Sequence, residues 1–248
     1  MPIGPDTPVD LLLPVYNEAG SIEATLRELH KTLAPLANVR FVICEDGSTD
    51  GSRAILVRLA EELPIKLVLG VERKGYSRAI IDGFRACTAP YVFCLDGDGQ
   101  CDPRDFESFC PLVPAADVVM GWRVNRQDTR ARRAMSGFFK IIYRGLLDVR
   151  LHDPSCSYLL VSRPALDYLL SIPTLGTLTQ GFWWEFAARL DRSGFRFVEI
   201  PVNHRPRAAG HTQVYRWPRL PGIFLRHVGG LVAIRRETPR LPRRRQGD

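Results

Sequence analysis

Short apolar runs alternate with amphipathic stretches through the first half of the chain, and this alternation is what most limits the possible fold. The runs are predicted strands at 9–14, 39–44, 65–71, 91–95 and 117–122. The stretches between them have helical periodicity, and Ile22, Leu26 and Leu29 share one helical face. A β-α-β-α-β-α-β-α-β order predicts an α/β fold, with a mostly parallel sheet and helices on both faces.

Polar residues stand directly after several of the predicted strands. They occupy the loops 16–18, 45–47 and 96–98 and the loop that begins at Arg123. Ligands of parallel α/β sheets bind just beyond the carboxyl ends of the strands. The sequence therefore predicts the functional site at this edge of the sheet.

The sharpest of these features is Asp96-Gly97-Asp98, which follows an apolar strand. Two carboxylates at this spacing can hold a hard divalent cation such as Mg²⁺, which usually completes its shell with substrate phosphates. Gln100 adds a neutral oxygen. A pair of Asp residues at this spacing is expected about once by chance in a chain of this length, so a solvated turn is the alternative.

Acidic residues also end the second predicted strand, at Glu45 and Asp46. Such side chains can accept hydrogen bonds from a base or a ribose. Ser48 or Thr49 is expected to cap the following helix. The loop 74–78 places cations before another predicted helix, which suits a phosphate but equally suits a solvated loop.

The second half of the chain offers cations and one further carboxylate. Arg123 and Arg132 follow the fifth predicted strand and suit bidentate phosphate contacts, although runs of Arg are usually solvated faces. Asp153 is a candidate carboxylate entering the site, and a capped turn at Asp-Pro is the alternative. The basic loop 205–213 suits a flap over a pyrophosphate or a surface hairpin.

Lys and Arg number 34 against 27 Asp and Glu, giving a net charge of +7. Such a charge favours a polyanionic partner. A nucleic-acid-binding module is disfavoured because no zinc finger, helix-turn-helix or RNP-like pattern is present, and because Asp96 and Asp98 would repel phosphates without a metal. No signal peptide is visible, so a reducing, cytoplasmic compartment is expected.

Residues 215–248 are predicted to form a separate segment at the end of the sequence. A predicted amphipathic helix at 217–236, which Pro221-Gly222 and Gly229-Gly230 are expected to interrupt, is followed by a Pro- and Arg-rich tail. Apolar groups flanked by Arg suit the surface of an anionic bilayer. The alternative is that the apolar face packs on the preceding part of the chain or on a second subunit in a homodimer.

Four motifs occur in the order seen in family 2 glycosyltransferases of the GT-A fold, a Rossmann-like architecture. They are Pro14-Val15-Tyr16-Asn17-Glu18, Glu45-Asp46-Gly47-Ser48-Thr49-Asp50, Asp96-Gly97-Asp98-Gly99-Gln100 and Arg207-x-x-Gly210-x-Thr212. Within that family the chain resembles dolichol-phosphate mannosyltransferase and bacterial polyprenyl-phosphate glycosyltransferases. The likeness covers about residues 9–213.

The resemblance implies an inverting transfer of a sugar from a nucleotide-diphospho-sugar, with Mg²⁺ or Mn²⁺, to a polyprenyl phosphate. It implies a GT-A catalytic domain at 1–214, with a nucleotide-binding half at about 9–122 and an acceptor half at about 123–214. The segment 215–248 would then lie peripherally on the cytoplasmic face of a membrane.

The resemblance also assigns roles to individual residues. The nucleotide-binding residues would be Pro14, Tyr16, Glu18, Asp46, Asp96 and Gly97. The metal ligands would be Asp96, Asp98 and Gln100. The residues at the acceptor phosphate would be Arg123, Arg132, Ser136, Arg207 and Thr212. The catalytic residues would be Asp98 and Asp153.

Two departures from the family pattern leave the acceptor open. Thr212-Gln213 replaces the usual Ser-Lys of the flap, which removes a cation, and Cys156-Ser157 stands where a Gly is common. A family 2 transferase acting on a soluble hydroxyl acceptor is therefore the alternative function. Such an acceptor needs a carboxylate base, for which Asp153 is the candidate.

Overall fold

The computed structural model describes residues 2–124, 130–205 and 220–242. In the first half, the predicted alternation of strands and helices is confirmed. The strands are β1 (Pro8–Val15), β2 (Asn38–Glu45), β3 (Ile65–Leu69), β4 (Tyr91–Cys94) and β5 (Val118–Val124). The helices between the first four strands are α1 (Ile22–Leu33), α2 (Ser52–Leu59) and α3 (Tyr76–Ala86).

The second half adds helices α4 (Arg130–Leu147), α5 (Arg163–Leu170), α6 (Phe182–Arg192) and α7 (Leu220–Glu237), with strands β6 (Leu159–Ser162) and β7 (Phe197–Asn203). The seven strands form one sheet in the order β3-β2-β1-β4-β6-β5-β7. β6 is antiparallel to both of its neighbours, β4 and β5, and the other pairs are parallel. The predicted mostly parallel sheet is therefore confirmed, with one reversed strand inside it.

The core lies on both faces of the sheet. Leu11, Leu12 and Leu13 of β1 are fully buried in succession, with Leu12 in one apolar cluster and its two neighbours in the other. Because side chains alternate across a strand, a continuous apolar run requires cover on both faces. α1 covers one face and α3 the other.

The segment after β4 differs from its prediction. The sequence predicts a helix from Asp102-Pro103 to about Leu112, but the structure has two 3₁₀-helices there, Pro103–Ser108 and Cys110–Ala115. Asp102 caps the first of them, as predicted, by accepting a hydrogen bond from the Arg104 amide. Pro111 and Pro114 lack amide hydrogens and crowd the preceding turn, so an α-helix cannot continue through them.

The last described helix, α7, runs without the interruptions expected at its Pro and Gly residues. Pro221 falls in its first turn, where its missing amide hydrogen costs nothing. Gly230 allows close packing, since a Cβ there would lie 2.5 Å from Leu178 Cδ2. Leu231 and Ile234 are buried in the same cluster as Leu178. The domain boundary at 214 stays a prediction. Within the described ranges, no helix is long and apolar enough to cross a bilayer.

The loops after β2 and β3 approach each other at Gly47. This residue has a left-handed φ of 72°, and a Cβ on it would lie 2.7 Å from the Arg73 nitrogen and 2.8 Å from the Glu72 carbonyl carbon. Gly51 also has a left-handed φ, of 92°, but a Cβ on it would have no atom within 4 Å. The two glycines thus differ mainly in their surroundings.

We expect Gly51→Ala to lower the free energy of unfolding by about 1–2 kcal/mol through left-handed strain alone. Gly47→Ala should lower the free energy of unfolding by the same amount and by about 1–3 kcal/mol more, because the backbone atoms that face its Cβ cannot move aside as a side chain can. Urea denaturation of both variants measures the difference. Equal losses would show that the loops after β2 and β3 do not pack as described.

Candidate active site

The loops after β1 and β2 are joined by hydrogen bonds at the predicted edge of the sheet. The Asn17 amide donates to Ser48 Oγ at 3.1 Å, and the Glu18 amide donates to Ser52 Oγ at 2.9 Å. The expected helix cap at Ser48 or Thr49 is wrong, because α2 begins only at Ser52. These side chains instead hold the Asn17 loop, whose left-handed φ of 55° needs such support.

Glu45 and Asp46 also bind protein groups. Glu45 is buried and accepts hydrogen bonds from the Ser48 amide and from the Arg53 guanidinium. Asp46 accepts from the amides of Lys74 and Gly75 at 2.7 and 2.9 Å. Each carboxylate oxygen of Asp46 retains capacity for another donor. The geometry therefore makes Glu45 a support of the loop and leaves Asp46 able to accept from a ligand.

Four of the predicted nucleotide-binding residues lie in or next to these loops. The Arg73 guanidinium carbon stands 3.9 Å from the centre of the Tyr16 ring, a cation–π contact. A Cβ on Gly97 would lie 3.4 Å from the Pro14 carbonyl oxygen, so the loops after β1 and β4 adjoin. Glu18 accepts a hydrogen bond from Ser21 Oγ at 3.1 Å.

Asp96 is held by hydroxyl groups from two distant segments. Tyr76 Oη, at the start of α3, lies 2.6 Å from one carboxylate oxygen, and Ser157 Oγ lies 2.7 Å from the other. Trp183 Nε1 of α6 lies 2.7 Å from Tyr76 Oη. Because an indole only donates, the Tyr76 hydroxyl donates its proton to Asp96.

The reversed strand β6 explains how Ser157 reaches this place. Cys94, the last residue of β4, pairs with Leu159, the first residue of β6. The chain entering β6 therefore meets the chain leaving β4. Ser157 precedes Leu159 by two positions and Asp96 follows Cys94 by two, so the two side chains come to face each other.

The pKa of Asp96 is raised above its ordinary value. Loss of solvent around the carboxylate is the main cause, and the charge of Asp98 adds to it. The hydrogen bonds from Tyr76 and Ser157 oppose the rise. The site therefore disfavours two adjacent negative charges, which a cation would relieve.

Asp98 is buried, and the loop that carries it is joined to the end of β7. Its carboxylate accepts from the Gln100 amide at 3.1 Å. The Arg205 amide donates to the Gln100 carbonyl at 2.7 Å, and Gln100 Nε2 donates to the Arg205 carbonyl at 3.3 Å. Arg205 also pairs with Asp102 at 2.8 Å. This loop is thereby fixed at both ends.

The donor set fits a hard cation that is shared with a ligand. Within the described part of the chain, no group of three or more His, Cys, Asp or Glu side chains could hold a metal. The Asp96–Gln100 loop offers two carboxylates and an amide oxygen. Mg²⁺ and Mn²⁺ accept such partial sets, with substrate phosphates and water completing the shell.

Arg123 and Asp153 form an ion pair beside this loop. Arg123 Nε and Nη2 lie 2.8 and 3.0 Å from the two carboxylate oxygens, and Nη2 donates to Ser155 Oγ at 2.7 Å. Burial alone would lower the pKa of Arg123, but the Asp153 carboxylate outweighs it and raises that pKa. The positive charge of Arg123 also acts on Asp96. The structure thus brings Asp96, Asp98, Arg123 and Asp153 into one site.

The other predicted acceptor residues are placed less fully. Ser136 is half-buried on α4, and Arg132 lies on the same helix with its side chain outside the described structure. Arg207 and Thr212 lie outside the described residues altogether. Sequence reasoning missed Tyr76, Ser157 and Trp183. The available signals were the position of Tyr76 in the predicted loop 74–78 and the departure of Cys156-Ser157 from the family pattern.

We expect Asp96→Asn to unfold at a higher temperature than the wild-type chain at neutral pH without metal. The pKa of Asp96 is higher in the folded chain than in the unfolded chain, where it is about 3.9. The wild type therefore loses stability as the pH rises from the unfolded-state pKa through the folded-state pKa. Asn has no charge to desolvate and does not lose stability in this way. Calorimetry from pH 3 to 8 should show the advantage growing with pH. The exposed Asp6→Asn change is the control, and a variant advantage that shrinks as the pH rises would contradict the assigned cause.

The chain is similar in sequence to one protein family and to individual known proteins. Residues 10–170 match the model for "Glycosyl transferase family 2". The chain is 29% identical over 209 residues to an undecaprenyl-phosphate 4-deoxy-4-formamido-L-arabinose transferase from Pseudomonas syringae pv. syringae, covering 83% of this chain and 60% of that relative. The chain therefore spans about three fifths of that relative's length.

Solved structures share the fold at low sequence identity. A mannosyl-3-phosphoglycerate synthase from Rubrobacter xylanophilus superimposes with a TM-score of 0.66 at 17% identity, covering 98% of this chain and 78% of that one. The mannosyltransferase PcManGT from Pyrobaculum calidifontis, in complex with GDP-Man and Mn²⁺, gives 0.62 at 19%, covering 95% and 74%. The expected GT-A fold is thereby confirmed.

Proposed function

The chain belongs to glycosyl transferase family 2, and on that premise we propose that it transfers a sugar from a nucleotide-diphospho-sugar to a polyprenyl phosphate, with inversion at the anomeric carbon. The observation that carries the proposal is the pair Asp96 and Asp98 beyond the carboxyl end of β4, each held by hydrogen bonds. The name of the relative from P. syringae, an undecaprenyl-phosphate transferase, supports the acceptor class.

The donor nucleotide would bind between the loops after β1, β2 and β3. Tyr16 offers a ring face, Asp46 offers carboxylate oxygens, and Pro14, Glu18 and Gly97 line the same edge. The charge that develops on the departing diphosphate would be neutralised by Mg²⁺ or Mn²⁺ held by Asp96, Asp98 and Gln100. The complex of PcManGT with GDP-Man and Mn²⁺ supports this donor chemistry.

The acceptor would approach from the Arg123 side. An acceptor phosphate is already ionised at neutral pH, so it needs a cation to orient it and no base to activate it. Arg123 supplies a planar guanidinium that Asp153 and Ser155 hold in place. Arg132, Ser136, Arg207 and Thr212 are proposed to add further phosphate contacts. Asp153 then acts by positioning Arg123.

A polyprenyl acceptor resides in a membrane. We therefore propose that the protein associates peripherally with the cytoplasmic face of a membrane, with 215–248 contributing to the contact. The absence of a membrane-crossing helix in the described residues is compatible with such an association.

We expect Asp98→Ala to reduce transfer at least about 100-fold at saturating Mn²⁺, since one of two carboxylates in the metal loop is lost. Release of nucleoside diphosphate from a panel of nucleotide sugars, with polyprenyl phosphate and Mn²⁺, measures this. Asp167→Ala removes an exposed carboxylate elsewhere and should retain full activity. Near-normal turnover by Asp98→Ala would refute the metal assignment, and no release by the wild type with any sugar would refute the function.

Asp153→Asn separates the two acceptor classes. The amide oxygen of the substituted side chain can still accept a hydrogen bond from Arg123, so the rate of transfer to a phosphate should remain within about tenfold of wild type. The rate of transfer to a hydroxyl acceptor should fall by about 10²–10⁴-fold, because the variant lacks the carboxylate base. Parallel assays with polyprenyl phosphate and with soluble sugar or polyol acceptors measure both. A hydroxyl-directed activity that disappears in this variant would favour the soluble-acceptor function.

A further inference from the structure

Helices α4 and α7 together present an exposed apolar surface. We call it the α4/α7 face and define it by Met135, Phe138, Ile141, Phe224 and Leu225. Ile141 and Leu225 are 70% and 71% exposed, and Phe138 is 57% exposed. The rings of Phe138 and Phe224 stack with centroids 5.9 Å apart, so residues of the two helices form one continuous surface. Large apolar side chains at such exposure in a contiguous patch mark an interaction site.

The two helices are fixed side by side on the core. The ring centroids of Phe139 and His227 lie 5.7 Å apart, and Arg235 Nη1 donates to the Leu146 carbonyl at 2.6 Å, so contacts advance in the same direction along both helices. Tyr143 and Leu231, on their inner sides, are fully buried. The α4/α7 face is therefore the outer side of a well-packed helix pair.

The charge of this helix pair has one sign. α4 carries five Arg and Lys residues and no acid, and α7 carries three Arg and one acid, Glu237. Glu237 pairs with the buried Arg189 at 3.0 Å, and as one acid against eight Arg and Lys residues it leaves the helix pair strongly positive. Among the side chains of these helices that the structure describes, the exposed cations are Arg144, Arg226, Arg235 and Arg236. An apolar face edged by cations is complementary to an anionic lipid surface.

The α4/α7 face also borders the acceptor side of the site. Lys140, in the middle of α4, donates to the carbonyl of His152. His152 precedes Asp153, which pairs with Arg123. A surface bound to this face would therefore lie beside the residues proposed to receive the acceptor phosphate.

We propose that the α4/α7 face rests on the surface of an anionic bilayer, with α4 contributing as much of the apolar contact as α7. This inference rests on the proposed function, because it names the surface through which the enzyme meets its lipid acceptor. A second copy of the chain is a poorer occupant, since a symmetric dimer would bring two such faces of like charge together.

The test uses the full chain with the double change Ile141→Glu and Leu225→Glu. Both side chains are mostly exposed, so folding should be unaffected. Val57→Glu, at a 46% exposed position on α2, is the matched control. Flotation uses vesicles of phosphatidylglycerol and phosphatidylcholine, with pure phosphatidylcholine for comparison.

Wild type and Val57→Glu should float with the anionic vesicles and be released by about 0.5 M salt. The double variant should bind at least about fivefold less, because each Glu replaces apolar contact with repulsion. Equal binding by the double variant would overturn the proposal. So would a wild type that ignores anionic vesicles and forms a dimer that the double variant dissociates.

A second measurement separates this inference from the proposed function. With a short-chain, water-soluble polyprenyl phosphate and no vesicles, the double variant should match wild-type turnover, while its turnover on vesicle-embedded acceptor should fall. A loss on both acceptors would overturn the assignment of this face to lipid contact. A wild type that is inactive on both acceptors but floats through this face would refute the function and leave the surface assignment standing.

Discussion

The half-buried carboxylate of Asp96 is the interaction on which the rest of the site depends. It stands beside a second carboxylate, Asp98, and its own hydrogen bonds come from the neutral hydroxyls of Tyr76 and Ser157. Neutral donors orient the group without cancelling its charge. The fold thus holds a concentration of negative charge at the end of β4, which suits a site that completes itself with a cation and a diphosphate.

Holding that carboxylate requires contributions from both halves of the chain. Tyr76 comes from α3 and Trp183 from α6, while Ser157 precedes β6. The second half therefore helps to hold Asp96 and also carries Asp153, which pairs with Arg123 on the proposed acceptor side. This division explains why the sheet contains a reversed strand: a parallel β6 would begin at the opposite edge and carry Ser157 away from the site.

The sequence could predict the parallel frame because apolar runs and helical periodicity are local signals. It could also predict Asp96 and Asp98, because their position after a strand is local. It could not predict the direction of β6, since a strand of only four residues carries no information about its partner strands. It missed the role of Ser48 and Thr49 because their partner, Asn17, is more than thirty residues away. Ion pairing of Arg123 with Asp153 was hidden for the same reason.

The buried side chain of Arg189 has a consequence for how this protein could be oriented. Arg189 contacts Glu185 on its own helix and Glu237 at the end of α7, so α7 is anchored to α6 through an enclosed cation. α6 in turn carries Trp183, two contacts from Asp96. These contacts connect α7 to α6 and α6 to the loop after β4. We therefore expect α7 and the sheet to move as one rigid body. The distance from the carboxylates of Asp96 and Asp98 to any surface that α7 contacts would then be fixed. An acceptor held in that surface must therefore span this distance to reach the site.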